Sequence, residues 1–345
     1  MSFIIGSISQ VAFNLLLTMY GFMQVLASVM MNQRIHSYVL IGVLLSLLLS
    51  CPAFYSQGII EGFLYLSKLL SLVFIFYLAY LKPRMVLCFV ALALISLFII
   101  QWMSVGYGKT NQFPIIVLSL IAISWVSSKD IRIRYSGKLI LFLLFVTVLQ
   151  SIEVDSRTGI VIVLIVLLLL MLKKYKKVLF GLLVLLPFIY LVMMAFIGFL
   201  YDGGTHLLPP TISNLERSLM LYHLANNAYL FPFGINQELM TGMVNESMLN
   251  YGWKGYSSTR MDPHSFVAYL FMYSGWLGIW VFVVLQFQFF RYFIKVNNSV
   301  FILLIFPVAH SIISITLHPP DTIHRIAVVA LFGAILRLYI YRSVK

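Results

Sequence analysis

Apolar runs about as long as a bilayer is thick recur along this chain, and short connectors rich in lysine and arginine separate them. One such run goes from Ile59 to Leu81, with Glu61 and Lys68 as its charges. In hydrocarbon each backbone N–H and C=O needs an internal partner, so runs of this length are read as helices. Only 10% of the residues are charged and 62% are hydrophobic, whereas roughly a quarter of an ordinary soluble domain is charged. The expected fold is an all-α, polytopic integral membrane protein, a single membrane domain over residues 1–345. Residues 1–31 lack a basic start and a clear cleavage site, so no cleavable signal peptide is expected. The net charge of +13 reports orientation in such a chain, and no nucleic-acid partner is expected.

The pattern gives about 11 spans, near 8–31, 37–52, 59–81, 85–103, 113–127, 139–154, 158–172, 178–201, 264–290, 300–317 and 326–341. The two near 37–52 and 113–127 are candidates for tilted or re-entrant segments. Basic residues fall in alternate connectors: Arg34; Lys82 and Arg84; Lys129, Arg132, Arg134 and Lys138; Lys173, Lys174, Lys176 and Lys177; Arg291 and Lys295; then Arg337, Arg342 and Lys345. The positive-inside rule puts these in the cytoplasm, with the N-terminus outside and the C-terminus inside. Should the first run not be a single crossing, the N-terminus moves inside. Cys51 and Cys88 then lie at opposite membrane faces and cannot pair.

One outer connector, Asp202 to Asp262, is far longer than the others, and long ordered loops carry function. Ser213-Asn-Leu-Glu216 has the spacing of a capping box, which predicts a helix from about Asn214 to Leu230 that ends at Pro232-Phe-Gly234. Tyr251, Trp253 and Tyr256 follow. Their faces suit sugar rings, but they suit the bilayer interface equally, and that is the commoner use. Beyond the loop, Pro263 fits the first position of a helix and Asp262 the cap before it. His264 falls in the first turn, with Gly275 and Gly278 close to its face. Those glycines predict a seam where another helix approaches closely. The helix N-terminus disfavours protonation of His264, which leaves it neutral at pH 7 and available as a base. The alternative is a polar interfacial histidine without chemistry.

Arg157, in Asp155-Ser-Arg-Thr-Gly159, and Arg217, beside Glu216, lie on the outer side against the charge bias. Either each arginine pairs with the neighbouring carboxylate, or it binds an anion through its guanidinium fork. Arg260 and Arg325 are weaker candidates that also suit interfacial anchoring. Glu61 and Lys68 share a helical face and read as an ion pair, or as Glu61 reaching the outer interface. His310, His318, His324 and Asp321 lack metal-ligand spacing, and no nucleotide motif occurs, so neither a metal nor a cofactor is expected. These features describe a basic, aromatic outer cavity at membrane level. It suits a substrate with a lipid tail, an anionic phosphate linker and a polar head.

His264-Ser265, followed after nine residues by Gly275-x-x-Gly278, resembles the signature of bacterial O-antigen ligases and O-antigen polymerases. Asp155-Ser-Arg157-Thr-Gly159 looks like that family's arginine at the start of a membrane helix. Arg217-Ser-Leu-Met-Leu-Tyr with Phe231-Pro-Phe-Gly234 is similar to its second arginine and the turn after it. The motifs occur in the family's order over about Asp155 to Gly278. The N-terminal spans match only in being hydrophobic, and family members are more often longer, with more spans. The resemblance implies a GT-C-like, metal-independent, inverting glycosyltransferase of the bacterial inner membrane, its active site facing the periplasm. It further implies an undecaprenyl-pyrophosphate-linked oligosaccharide donor held by Arg157 and Arg217, and His264 as the base. The acceptor is a second lipid-linked repeat unit in a polymerase, and lipid A-core in a ligase. A chain-length regulator is a candidate partner. A lipid-linked oligosaccharide flippase is the alternative of another class, although no internal repeat of the transporter kind is evident.

Overall fold

A computed structural model of the chain describes residues 2–30, 37–103, 174–204, 212–253, 266–295 and 323–340, with single helical positions at 145, 148, 149, 152, 160, 164, 167, 168 and 171. The described residues are helical and contain no strand. The helices are α1 (Ser2–Met30), α2 (Ser37–Ser56), α3 (Ile59–Leu81), α4 (Pro83–Met103), α5 (Lys176–Asp202), α6 (Ile212–Asn227), α7 (Gln237–Asn250), α8 (Phe266–Lys295) and α9 (Ile323–Ile335). A short π-helical turn, Leu336–Ile340, continues α9.

Among the described residues, three stretches are long and apolar enough to cross a membrane: Val39–Ser56, Ile59–Leu81 and Val267–Leu285. Leu15–Ala27, Pro83–Ser96, Phe188–Asp202 and Val329–Leu338 are apolar but shorter. Phe63, Phe89, Phe196 and Trp280 are exposed on the helices' outer faces, an arrangement that water would penalise and lipid favours. The expected spans near 113–127 and 300–317 lie outside the described residues. Those near 139–154 and 158–172 are represented by the single positions alone.

Local chemistry sets several boundaries. Lys82 precedes Pro83, and a proline's ring disfavours helical backbone in the residue before it. Lys82 accordingly sits at φ −128°, ψ 64° and closes α3. Pro83 then opens α4, where its missing N–H costs nothing. Cys51 and Cys88 are free thiols.

α3 is the hub of the N-terminal half and packs against α1, α2, α4 and α9. α5 and α6 form the other large contact, with α7 on α6. α8 joins the two groups, touching α2 on one side and α5 and α6 on the other. An apolar cluster runs through this junction and includes Leu49 and Tyr65, Leu215 and Leu219, Met240 and Val244, and Val267 to Tyr273. Within it Tyr65, Tyr269 and Tyr273 stack, with ring centroids 4.9 Å apart for Tyr65 and Tyr273 and 4.4 Å for Tyr269 and Tyr273.

The glycine seam of α8 differs from the sequence expectation. Among the described residues, a turn and not a helix enters it. Gly275 leaves helical geometry altogether (φ 58°, ψ −148°) and breaks α8 into two helices. The partner is the Pro232-Phe-Gly-Ile235 turn that follows α6. A Cβ at Gly275 would collide with the Pro232 carbonyl, and one at Gly234 (φ 104°) with the Met272 carbonyl. At both places glycine serves close backbone approach and a left-handed φ at once.

Candidate functional site

The described part of the long connector after Asp202 is built on α6. Its predicted start at Asn214 becomes Ile212, and its end at Leu230 becomes Asn227, after which turns lead to Pro232. α6 lies along α5, where a Cβ at Gly198 would strike the Ser218 carbonyl. Phe199 and Tyr222 meet four residues further along α6, with ring centroids 5.9 Å apart. α6 therefore runs beside α5 towards its C-terminal end at Asp202.

This packing holds Arg217 on a half-buried face. Its Nε is buried and has no hydrogen-bond partner among the described residues. Nor does any salt bridge among them join Arg217 to Glu216. Burial pushes the Glu216 carboxyl up from its ordinary value, while the Arg217 charge opposes this. A carboxylate in contact with the guanidinium would have satisfied both groups. The local ion pair considered from the sequence is thus not formed. A buried guanidinium N–H without an acceptor is costly, so the residue is prepared for an acceptor from outside the described residues.

Of the other sequence candidates, Arg157, Arg260 and His264 lie outside the described residues. Arg325 sits in the first turns of α9, and its side chain is likewise outside them. His324 shares that position on α9, whereas His310, His318 and Asp321 are outside. Lys68 donates to the Tyr269 hydroxyl (3.3 Å) and lies 5.7 Å from the centroid of that ring.

Sequence reading missed two features. The first is α7. Asn236 caps it through its side chain, which accepts from the backbone N–H groups of Glu238 (2.8 Å) and Leu239 (3.4 Å). An Asn cap with an acidic first turn was available as a signal. The second is a chain of hydrogen bonds across three helices. Ser247 on α7 donates to Asp202 Oδ1 of α5 (2.6 Å). His223 of α6 lies 2.9 Å from the same serine oxygen through Nε2. The serine has one proton and gives it to Asp202, so the proton of the second bond is carried by Nε2 of His223. Tyr222 also hydrogen-bonds Asp202.

Burial lowers the His223 pKa from its ordinary 6.5, while the charges of Asp202 and Glu246 pull the other way. A depressed histidine pKa means that the unfolded chain takes up a proton before the folded one does. The stabilisation is complete above about pH 6.5 and is lost as pH falls towards the lowered value. Glu216, raised instead, gains stability on acidification. The thermal midpoint of the solubilised protein between pH 7.5 and 5.5 is therefore expected to fall less in His223→Gln than in wild type. Glutamine keeps a donor for Ser247 but cannot be protonated. Parallel curves for the two proteins would remove His223 from the acid response.

The turn that follows α6 meets α8 at its break. With Gly275 out of the helix, Trp276 N–H donates to the Pro232 carbonyl (3.1 Å), and Ile235 N–H donates to the Met272 carbonyl (3.0 Å). The Trp276 indole donates to the Ala228 carbonyl (3.2 Å). The interrupted helix ladder is thus completed by the turn after α6. In the sequence Arg217 precedes Pro232 by 15 residues, and His264 precedes Gly275 by 11.

No protein-family model, curated protein or solved structure matches the chain. The functional reading rests on the residues themselves.

Proposed function

We propose that the chain is a multi-pass glycosyltransferase of a bacterial inner membrane, with about 11 spans, a GT-C-like arrangement and its site facing the periplasm. The donor is an oligosaccharide on undecaprenyl pyrophosphate. The acceptor is a second lipid-linked repeat unit, which makes the protein a polymerase of O-antigen or another surface polysaccharide. Lipid A-core is the acceptor in the ligase reading. The observation that carries the proposal is the buried guanidinium N–H of Arg217 in the outer loop, which has no acceptor among the described residues.

In the reaction, the acceptor hydroxyl attacks the anomeric carbon from the face opposite the pyrophosphate. The bond from that carbon to the pyrophosphate oxygen breaks, and the configuration inverts. His264 takes the hydroxyl proton. Undecaprenyl pyrophosphate leaves with the bonding pair, and Arg217 and Arg157 neutralise the charge that develops on it. Arg260 and Arg325 are further cations for the same anion. Side chains handle both the proton and the charge, so the scheme needs neither a metal nor a cofactor.

The flippase reading draws on one observation, the broken helix, since discontinuous helices line transporter sites. Here the freed backbone groups of α8 are taken up by the chain's own turn. That arrangement favours a fixed scaffold for two arms of a site over a translocation path.

Arg217→Ala is expected to slow glycan transfer by on the order of 10² to 10³-fold in reconstituted protein that melts like wild type. Arg217→Lys keeps the charge but loses the planar fork, and falls between the two. Transfer at the wild-type rate by a folded Arg217→Ala protein removes the residue from the mechanism.

A further inference from the structure

The break in α8 is held from a third direction. Gln57, in the turn between α2 and α3, places its carboxamide against the seam where the Pro-Phe-Gly turn meets α8. Its Nε2 donates to the Ile235 carbonyl and to that of Met272 (3.2 Å), and its Oε1 accepts from Gln237 N–H (3.0 Å). Two carbonyls on one side of the amide and an N–H on the other fix its orientation. Asn236 donates to the neighbouring Ser56 carbonyl (2.9 Å). Deeper in the same seam, Ser274 donates to the Leu49 carbonyl of α2 (2.7 Å), so the Tyr65 hydroxyl of α3 donates to Ser274 (2.8 Å). The α2–α3 pair thus holds both the turn and the last residues of α8 before Gly275.

We propose that Gln57 is a positioning residue, whose side chain fastens the turn behind Arg217 into the break of α8 and so fixes the arginine arm of the loop against α8, the helix that His264 precedes in the sequence. Its value for transfer rests on the function proposed above; its hold on the turn does not. Met272 O is the hinge of the arrangement. In an unbroken helix it would accept from Trp276 N–H. Here it accepts from Ile235 N–H and from Gln57 instead. Remove Gln57, and the turn keeps two backbone bonds to α8 and loses every tie that Gln57 makes to the α2–α3 end. Glutamine is suited to the place because it carries donors and an acceptor on one rigid plane. Leucine has neither, and an ionised carboxylate would present oxygen to two carbonyl oxygens.

The test uses full-length protein in liposomes, as wild type, Gln57→Leu and Gln57→Glu. Hydrogen exchange is read at the amides of Ile235 and Trp276, and transfer is read from an undecaprenyl-pyrophosphate-linked repeat unit. In Gln57→Leu both amides are expected to exchange about tenfold faster. Transfer drops by roughly tenfold to a hundredfold, chiefly in kcat, because the reacting groups are misplaced. Gln57→Glu behaves like wild type in acid, where its protonated carboxyl donates to a carbonyl. It approaches the leucine variant as pH rises and that donor is lost. A packing role alone would give no such conditional rescue. Unchanged exchange in Gln57→Leu overturns the clamp, and faster exchange with unaltered transfer overturns its positioning role. If wild type transfers nothing while the exchange responds as described, the clamp stands and the glycosyltransfer reading fails.

Discussion

His264→Ala is expected to lower transfer by about 10² to 10⁴-fold, the range for losing a general base, while insertion and thermal melting stay as in wild type. The acceptor hydroxyl is a poor nucleophile while it keeps its proton, and His264 is the group assigned to remove it. In the proposed scheme arginines hold the donor, so the binding of an undecaprenyl-pyrophosphate glycan should survive the change, with the loss falling on kcat. His264→Gln preserves size and hydrogen bonding but cannot accept the proton, and it should be as inactive as the alanine variant. A glutamine variant with wild-type kcat would reduce the histidine to a polar interfacial residue, the alternative that its sequence context left open.

Gly275→Ala has the largest expected effect on stability. The residue sits at φ 58°, and a Cβ there meets the Pro232 carbonyl and comes within 2.8 Å of Gly234 N. Strain from the left-handed backbone and displacement of the turn together cost about 3 kcal/mol or more. The thermal midpoint should drop by roughly 5 °C or more. The affected bonds are those from Trp276 N–H to Pro232 and from Ile235 N–H to Met272. Loss of order should therefore begin at the turn, with α3 and its contacts to α4 and α9 retained. Gly242, on the exposed side of α7, has space for a methyl group, with no described atom within 4 Å of where a Cβ would stand. Gly242→Ala is the control and should leave the midpoint unchanged or slightly raised, since alanine suits a helix better.

What could be read from the sequence divides along the range of the interactions involved. α3 follows its expected bounds of 59–81, because one uniform apolar run and Pro83 determine it locally. The helix now seen as α6 and the turn at Pro232 were legible from the capping-box spacing and from turn chemistry. The break at Gly275 was not. Its neighbours are apolar and suit a helix, and the groups that stabilise the break lie about 40 residues away at Pro232 and Ile235. Gln57 gave no signal either, since one glutamine at the end of a span reads as an interfacial residue. Asp202, His223 and Ser247 are separated in sequence, and only the packing of α5, α6 and α7 makes them a hydrogen-bonded chain.

Glycosyl transfer is tested most directly in liposomes that hold the purified protein and an undecaprenyl-pyrophosphate-linked repeat unit as the sole glycan. Products are resolved on a gel beside those of His264→Ala. A ladder of lengthened glycans is expected from wild type and none from the variant. An active, folded protein that makes no ladder, transfers nothing to added lipid A-core and instead carries the glycolipid across the bilayer would contradict the proposed function.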